Sequence, residues 1–403
     1  MLHVIETMAP HEGGPPRVVA GLAGAQCAMG IDAQVLCCDA GLLPEYLSFW
    51  GDNAPEFRAA TVHTVYPRSG RIYSRAAALR GWLRANLARY DVIHVHSLWR
   101  LVPTLAALHG RRMRVPYLIA PHTALAPWAL DQKRPKKMLA RVLVWNRLFR
   151  AAAGFHALND LEAEEIRGCV GQNGPPIFVV PNGVSLREFP ERQQGPASTV
   201  ETAQLGSLKP GAPFILFLAR LHTMKGPDLL LEAFAAVAPE RPDLQLVFAG
   251  PDFGMLGTLR RRAAALRLSE RVHFLGLVAG PTKQWLLANA VCLCQPSRSE
   301  GFSLSILEAM ASSCPVVISD CCKFPEVAEH RAGIVAPLAI GAIAAGLRVF
   351  AGDAARRGAA GQAARQLITR DYTWEIVARR AAQMYETVVA ANAGHGSSRG
   401  RAQ

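Results

Sequence analysis

The chain has 403 residues, half of them hydrophobic and 19% charged, with 44 Lys or Arg against 31 Asp or Glu and a formal net charge of +13. That length suggests two domains or three, and the apolar share excludes global disorder. The longest strongly apolar uncharged run, about Ala332 to Leu347, contains three glycines and a proline and falls short of the roughly 20 residues of a spanning helix.

The first residues, Met1-Leu-His-Val-Ile, carry no basic leader region and read directly as a strand. No signal peptide is expected, and the mature protein is expected to begin near Met1. Strands are predicted at Leu2 to Ile5, Asp32 to Cys37, Val92 to His94, Tyr117 to Ala120, Gly154 to Ala157 and Phe178 to Val180. Helical patterns between them make this half a doubly wound α/β domain over 1–190. After the first strand, Gly13-Gly14-Pro-Pro opens a helix that ends near Gly30. This turn is neither G-x-G-x-x-G nor a phosphate loop with GK[ST], yet a glycine pair at a helix start lets backbone N–H groups approach a phosphate or sugar closely.

Residues 191–212 turn polar, with Gln193-Gln194-Gly195-Pro196 and Lys209-Pro210-Gly211, and read as a linker. A second alternating series follows over 213–370. Its strands are predicted at Phe214 to Leu218, Gln245 to Ala249, Val272 to Leu275, Ala290 to Gln295, Val316 to Ser319 and near Gly333 to Ala336. Two α/β domains with parallel sheets are therefore expected to face a central cleft, with ligands beyond the carboxyl ends of the strands. Residues 371–391 read as a helix packing back on the first domain, and 392–403 as a disordered tail. The nine cysteines include the pairs Cys37/Cys38 and Cys321/Cys322 but no C-x-x-C, which reads as small buried hydrophobes in a reducing cytosol.

Chemistry concentrates in the second half. In Gln295-Pro-Ser-Arg-Ser-Glu300-Gly-Phe-Ser-Leu-Ser-Ile-Leu-Glu308, two carboxylates stand eight apart around a helix entrance. A helix N-terminus suits a diphosphate, with Glu300 at the mouth and Glu308 deeper. Taken alone, the pair also fits a capping box or a solvated face. Arg220 and Lys225 lie between the first strand of this domain and its first helix, where two cations can neutralise a departing diphosphate.

These motifs, with Val180-Pro-Asn182-Gly183, Lys225-Gly226 and Phe248-Ala-Gly250, resemble the family 4 glycosyltransferases: retaining, nucleotide-sugar-dependent enzymes of GT-B fold. The resemblance runs in order over nearly the whole chain. Pro121-His122-Thr123 through Trp128, followed by the basic run Lys133 to Lys137, is similar to a bacterial exopolysaccharide and lipopolysaccharide subgroup, which usually has Gly where Thr123 stands. The resemblance implies that Glu300 contacts the donor sugar's hydroxyls and Glu308 the ribose. It implies that Arg220 and Lys225 hold the diphosphate with backbone N–H groups of Phe302, Ser303, Leu304, Ser305 and Gly14. Gly13 and Gly301 fall in the same donor-binding set. His122 would sit by the donor sugar, and Gly276, Leu277 and Val278 would meet the base. His96 and Asn182 would line the cleft or form buried hydrogen bonds.

The implied reaction is hexosyl transfer from a UDP- or GDP-sugar to a glycan or a polyprenyl- or lipid-linked saccharide in cell-surface polysaccharide synthesis, with same-face attack and retention. No Asp-x-Asp is present, Asp252 and Asp320 being isolated, so neither a metal nor a cofactor is expected. A sugar-nucleotide epimerase of the same architecture, or a catalytically silent sugar-nucleotide-binding protein, is the alternative.

The charge is uneven. Between Arg58 and Arg150 there are 18 Lys or Arg and two acids, so this stretch carries +16 and the remainder −3. Within it, Trp128 to Arg150 combines Lys133, Arg134, Lys136, Lys137 and Arg141 with Met138, Leu139, Val142, Leu143, Trp145 and Phe149. Such a helix either packs on its own domain or meets an anionic lipid surface, which would place the protein in the cytoplasm, peripheral on the inner face of the membrane. No nucleic-acid-binding signature accompanies the charge.

Overall fold

A computed structural model describes residues 1–38, 42–65, 72–189, 205, 208 and 211–399. It divides into two compact units, Met1–Gly183 with Trp374–Gln403, and Val184–Thr373.

The first unit is built on seven parallel strands, β1 (Leu2–Val4), β2 (Gln34–Cys37), β3 (Thr61–Thr64), β4 (Ile93–His96), β5 (Tyr117–Ala120), β6 (Gly154–Ala157) and β7 (Ile177–Val179), in the order β3-β2-β1-β4-β5-β6-β7. β1 and β4 to β6 are buried throughout, as expected of a sheet covered by helices on both faces. The edge strand β3, Thr-Val-His-Thr, is half exposed and has no apolar run, so its sequence carries no strand signal.

Six parallel strands form the second unit: β8 (Phe214–Leu218), β9 (Gln245–Ala249), β10 (Val272–Gly276), β11 (Cys292–Gln295), β12 (Val316–Ser319) and β13 (Gly333–Ala336), ordered β10-β9-β8-β11-β12-β13. Chain order reverses between β1 and β4 in one sheet and between β8 and β11 in the other. Loops leaving strands at such a reversal point run to opposite sides of a sheet, which makes the strands' carboxyl ends there the usual place for a ligand.

The expected end of the first domain at 190 is corrected to 183. Val184 N–H donates to Tyr372 O at 2.9 Å, Phe189 is fully buried, and Arg365 reaches the Phe189 carbonyl at 2.9 Å. Residues 184–189 therefore belong to the second unit. The expected linker lies for its larger part outside the described residues, as do Arg68 and Arg71 of the basic stretch. The last helix, Trp374–Arg399, starts three residues after the expected position and continues through much of the expected tail; 400–403 are not described. Its Trp374 ring fills the space over Gly21 and Gly183, where a Cβ would come within 2.1 Å and 2.6 Å of it.

Candidate active site

In the second unit the loops after β8 and β11 are locked together at the reversal point. Gly226 has φ +68°, and a Cβ on it would fall 2.0 Å from the Pro296 carbonyl oxygen, so only glycine permits this approach. Arg298 then clamps the two loops. Its backbone N–H donates to Met224 O at 2.7 Å, and its guanidinium donates to Thr223 O at 2.6 Å and to both Asp228 oxygens at 2.9 and 2.6 Å.

Between these loops Lys225 Nζ meets Glu300 Oε2 at 2.5 Å, with both side chains largely buried. The same oxygen accepts from Gln295 Nε2 at 2.7 Å, and Gln295 Oε1 accepts from the Ser303 and Ser305 hydroxyls at 3.0 and 2.8 Å. Gln295, at the end of β11 and 1% exposed, thus ties the Glu300 loop to the entrance of the helix Leu304–Ala311. The first N–H groups of that helix have no acceptor one turn back, as at any helix start, and they carry the positive end of its dipole. Gly301 and Phe302 form the turn between them.

Glu308, 4% exposed, is further into the helix. Its Oε1 accepts from Lys283 Nζ at 3.1 Å, and Glu188 Oε1 lies 3.5 Å from the same ammonium, which also stands 5.0 Å over the Phe189 ring. Arg220 lies just beyond β8 with its guanidinium 5.1 Å over the half-exposed Phe253 ring, and no described carboxylate pairs with it. Burial, then Arg220 and Lys225, lower the pKa of the intervening His222, an electrostatic sign of the cationic loop. Gly250 (φ +148°) admits no Cβ, because Ala219 O would lie 2.0 Å away. Its N–H donates to Gly276 O at 2.6 Å, which draws the exits of β8, β9 and β10 together and leaves Leu277 exposed beside the half-buried Val278.

In the first unit Gly13 precedes the helix Gly14–Ala28, in the loop after β1. His122 and Thr123 follow β5, and both have left-handed backbones, φ +49° and +65°. Thr123 thus adopts at a strained cost the conformation that glycine takes freely. Buried Glu162 holds the turn, its two oxygens accepting from Thr123 N–H at 2.6 Å and Leu158 N–H at 2.8 Å. His96 lies under His122, 2.9 Å away, and Asn182 is buried beyond β7. Among the described residues, His3, His94 and His96 bring ligand-type atoms within 4.8 Å of one another. Their nitrogens are already hydrogen-bonded to each other or to Gln26, Tyr385, His122 and His156, so this cluster is a network and not an open cation site. Asp252 Oδ1 instead accepts from the Gly254, Met255 and Leu256 N–H groups, at the approach to the helix Leu256–Ala265.

In the basic segment, helical spacing predicts that many of the apolar residues lie on one side, and this expectation is corrected. They do not share one side: Trp145 and Phe149 are buried, whereas Met138, Leu139, Val142 and Leu143 are about 60% exposed each. Lys133, Arg134 and Lys136 are exposed beside that quartet. Lys137 turns inward to Ala129 O and Arg141 to Cys169 O.

Sequence reasoning assigned no role to Gln295, the Arg298–Asp228 clamp, Lys283 with Glu188, or His3, His94 and His156. Gln295 and the histidines did carry a signal, since each is a polar residue inside an apolar strand.

Comparison with known proteins closes the question of family. The Glycosyl transferase 4-like domain model matches residues 13–183 and the Glycosyl transferases group 1 model residues 202–367. A D-inositol 3-phosphate glycosyltransferase of Jonesia denitrificans is 30% identical, over 82% of this chain and 78% of its own. The chain belongs to the family 4 glycosyltransferases. This glycosyltransferase is also 30% identical to the lipopolysaccharide core biosynthesis mannosyltransferase LpsB of Rhizobium meliloti, over 53% of this chain and 62% of that one. Its fold is GT-B. The Anabaena protein HepE, solved with UDP and glucose, superposes with a TM-score of 0.76 at 18% identity, covering 96% of this chain and 99% of that one.

Proposed function

We propose that this glycosyltransferase moves a hexose from a UDP- or GDP-sugar to a glycan or lipid-linked saccharide, with retention and without a metal ion, in the making of a cell-surface polysaccharide. The observation that carries the reading is the Lys225–Glu300–Gln295 cluster at the β8/β11 reversal, beside the entrance of the helix Leu304–Ala311. A diphosphate placed there would compete with Glu300 for the Lys225 ammonium. Glu300 would then be released to accept hydrogen bonds from sugar hydroxyls, while Arg220 and the helix N–H groups share the phosphate charge. As the anomeric C–O bond breaks, its electron pair passes to the β-phosphate oxygen. The acceptor hydroxyl attacks the same face and gives its proton to that oxygen. Glu308, oriented by Lys283, takes the ribose hydroxyls. The names of the relatives support the donor class: HepE was solved with UDP and glucose, and LpsB is named a mannosyltransferase.

The acceptor side of the reading rests on the exposed apolar quartet and its lysines and arginines, which suit the interface of an anionic membrane. The protein would work from the cytoplasm, peripheral on that membrane. No helix of the described residues is long and apolar enough to cross it.

The test supplies UDP-, GDP- and ADP-sugars with and without polyprenyl-linked saccharides and follows nucleotide release. Release that depends on the acceptor, abolished in Lys225→Ala and Glu300→Ala while melting stays cooperative, is expected. Wild-type turnover in either variant would sink the assignment, and acceptor-independent release would favour an epimerase.

A further inference from the structure

Eight groups of the first unit form one continuous hydrogen-bonded chain, from the half-exposed His122 down to a backbone carbonyl. The direction of every bond in it is dictated by its far end. The Val180 carbonyl can only accept, and His156 Nε2 lies 2.7 Å from it, so His156 carries its proton on Nε2. Its Nδ1 must then accept from His94 Nε2, 3.1 Å away. His94 Nδ1 in turn accepts the Tyr385 hydroxyl at 2.9 Å. With its only proton committed, the Tyr385 oxygen accepts from Gln26 Nε2 at 3.2 Å, which turns Gln26 Oε1 toward His3 Nε2 at 2.7 Å. His3 Nε2 therefore donates, and His3 Nδ1 accepts from His96 Nε2 at 2.9 Å. His96 Nδ1, finally, accepts from His122 Nε2 at 2.9 Å.

The reverse order would set the lone pair of His156 Nε2 against the carbonyl lone pairs of Val180. An imidazolium inside the chain would also break the order, but burial lowers the pKa of all five rings, and the charges acting on them are other histidines and the N-terminus, not carboxylates. His3, Gln26, His94, His96, His156 and Tyr385 are buried. Only His122 reaches the surface, and its Nδ1 has no partner among the described residues.

We propose that this chain holds His122 neutral with its proton on Nε2, so that Nδ1 is presented at the surface as a hydrogen-bond acceptor for a substrate hydroxyl. The identity of the hydroxyl-bearing substrate rests on the transfer activity proposed above; the tautomer does not. Gln26 is the switch point, because a rotated amide would invert the run from His3 to His122 and convert Nδ1 into a donor. Tyr385 prevents that rotation. It comes from the last helix of the chain, so the C-terminal helix acts as a positioning element for a residue in the loop after β5.

The experiment records long-range proton–nitrogen correlation spectra of the full chain labelled with nitrogen-15 histidine, at neutral pH. All five histidines are expected as neutral Nε2–H tautomers, His122 with a pyridine-type Nδ1. In Tyr385→Phe, Gln26 loses its acceptor and can rotate, so His3, His96 and His122 are expected as tautomer mixtures while His94 and His156 stay as they were. kcat/KM for the hydroxyl-bearing substrate should drop about ten-fold as the wrong tautomer leaves that hydroxyl unpaired. In Gln26→Glu the carboxylate accepts from both His3 and Tyr385. His122 should then keep its tautomer, while His94 or His156 takes up a proton to keep the bond to Val180. A His122 that is charged or carries its proton on Nδ1 in the wild type would overturn the proposal, as would an unmixed His122 in a folded Tyr385→Phe. Should Tyr385→Phe not fold, the wild-type and Gln26→Glu spectra still decide. Expected spectra without any sugar transfer would defeat the transfer reading and leave this one standing; transfer with the opposite tautomer would do the reverse.

Discussion

Lys225 Nζ lies 2.5 Å from Glu300 Oε2, joining two loops 75 residues apart in sequence that leave adjacent strands. The pair is held from both sides, by Gln295 on the carboxylate and by the close passage of Gly226 under Pro296 on the lysine. In the proposed reaction the ammonium and the carboxylate exchange this contact for the diphosphate and the sugar hydroxyls of the donor.

Replacing Lys225 by Met keeps the side chain's length and removes the charge. Transfer should fall by about 10²- to 10³-fold, as when one preorganised stabiliser of a developing negative charge is removed. Stability should fall by less than the usual cost of breaking a buried pair from one side, because Gln295 and Ser297 still donate to Glu300. Initial rates and thermal melts on the same preparations check both halves. A large fall in melting temperature would mark the lysine as structural.

Gly226→Ala should be worse for the fold than its size suggests. The new methyl must displace the Pro296 backbone, and the left-handed φ costs a non-glycine residue about 1 kcal/mol on its own. Urea unfolding should show a loss larger than that, together with loss of transfer, because Lys225 and the Arg298 clamp move with the loop.

How much of this could be read beforehand follows from what each residue depends on. Arg220, Lys225, Glu300 and Glu308 stand at fixed offsets from turns and helix starts, so local sequence located them. Lys283 with Glu188, and Arg298 with Asp228, meet across 95 and 70 residues. Nothing local in either partner announces the other. The six strands of the second unit are apolar runs and were legible, whereas β3 is a strand only because β2 offers it an edge.

Lys283 stands between two largely buried carboxylates, Glu188 and Glu308. Lys283→Met would leave both without that ammonium, whereas Glu308→Gln leaves Lys283 with Glu188. The first should cost about 3–5 kcal/mol, the usual penalty for breaking a buried pair from one side, and the second clearly less. Denaturant midpoints of the two variants measure the order. Glu308→Gln should in addition weaken binding of the nucleotide, which a titration with UDP or GDP would reveal.

The buried histidines make the first unit sensitive to mild acid. Burial brings His3 and His156 to about 4 and puts His94 and His96 well below the ordinary range near 6.5. Their folded values lie below the unfolded one, so the unfolded chain binds more protons as soon as the pH drops under about 6.5. Stability is then complete above that pH and declines toward 4, by up to about 1.4 kcal/mol per pH unit for each histidine. Urea midpoints should be level from pH 8 to 7 and fall between 6.5 and 5. His156→Gln, which can still donate to Val180, should make that fall shallower. A level profile down to pH 5 would mean that the rings are charged in the folded protein.

The exposed quartet Met138, Leu139, Val142 and Leu143 turns away from Trp145 and Phe149, so the segment buries one apolar face and presents another. Four such side chains side by side in water are unfavourable by about 25 cal/mol for each Å² of apolar surface, and the exposed Lys133, Arg134, Lys136, Arg147 and Arg150 of the same segment bring a cationic surface to them. An anionic bilayer satisfies both demands, with roughly 1 kcal/mol from each basic residue near its surface. The protein should therefore float with phosphatidylglycerol vesicles at low salt, less at high salt as the charges are screened, and not with neutral ones. Leu139→Asp with Leu143→Asp should weaken retention at least about ten-fold with little change in the melting temperature, since both side chains are about 60% exposed. Absence of wild-type retention on anionic vesicles at low salt would remove the membrane from the reading, and retention unchanged in the double variant would assign the contact to charge alone.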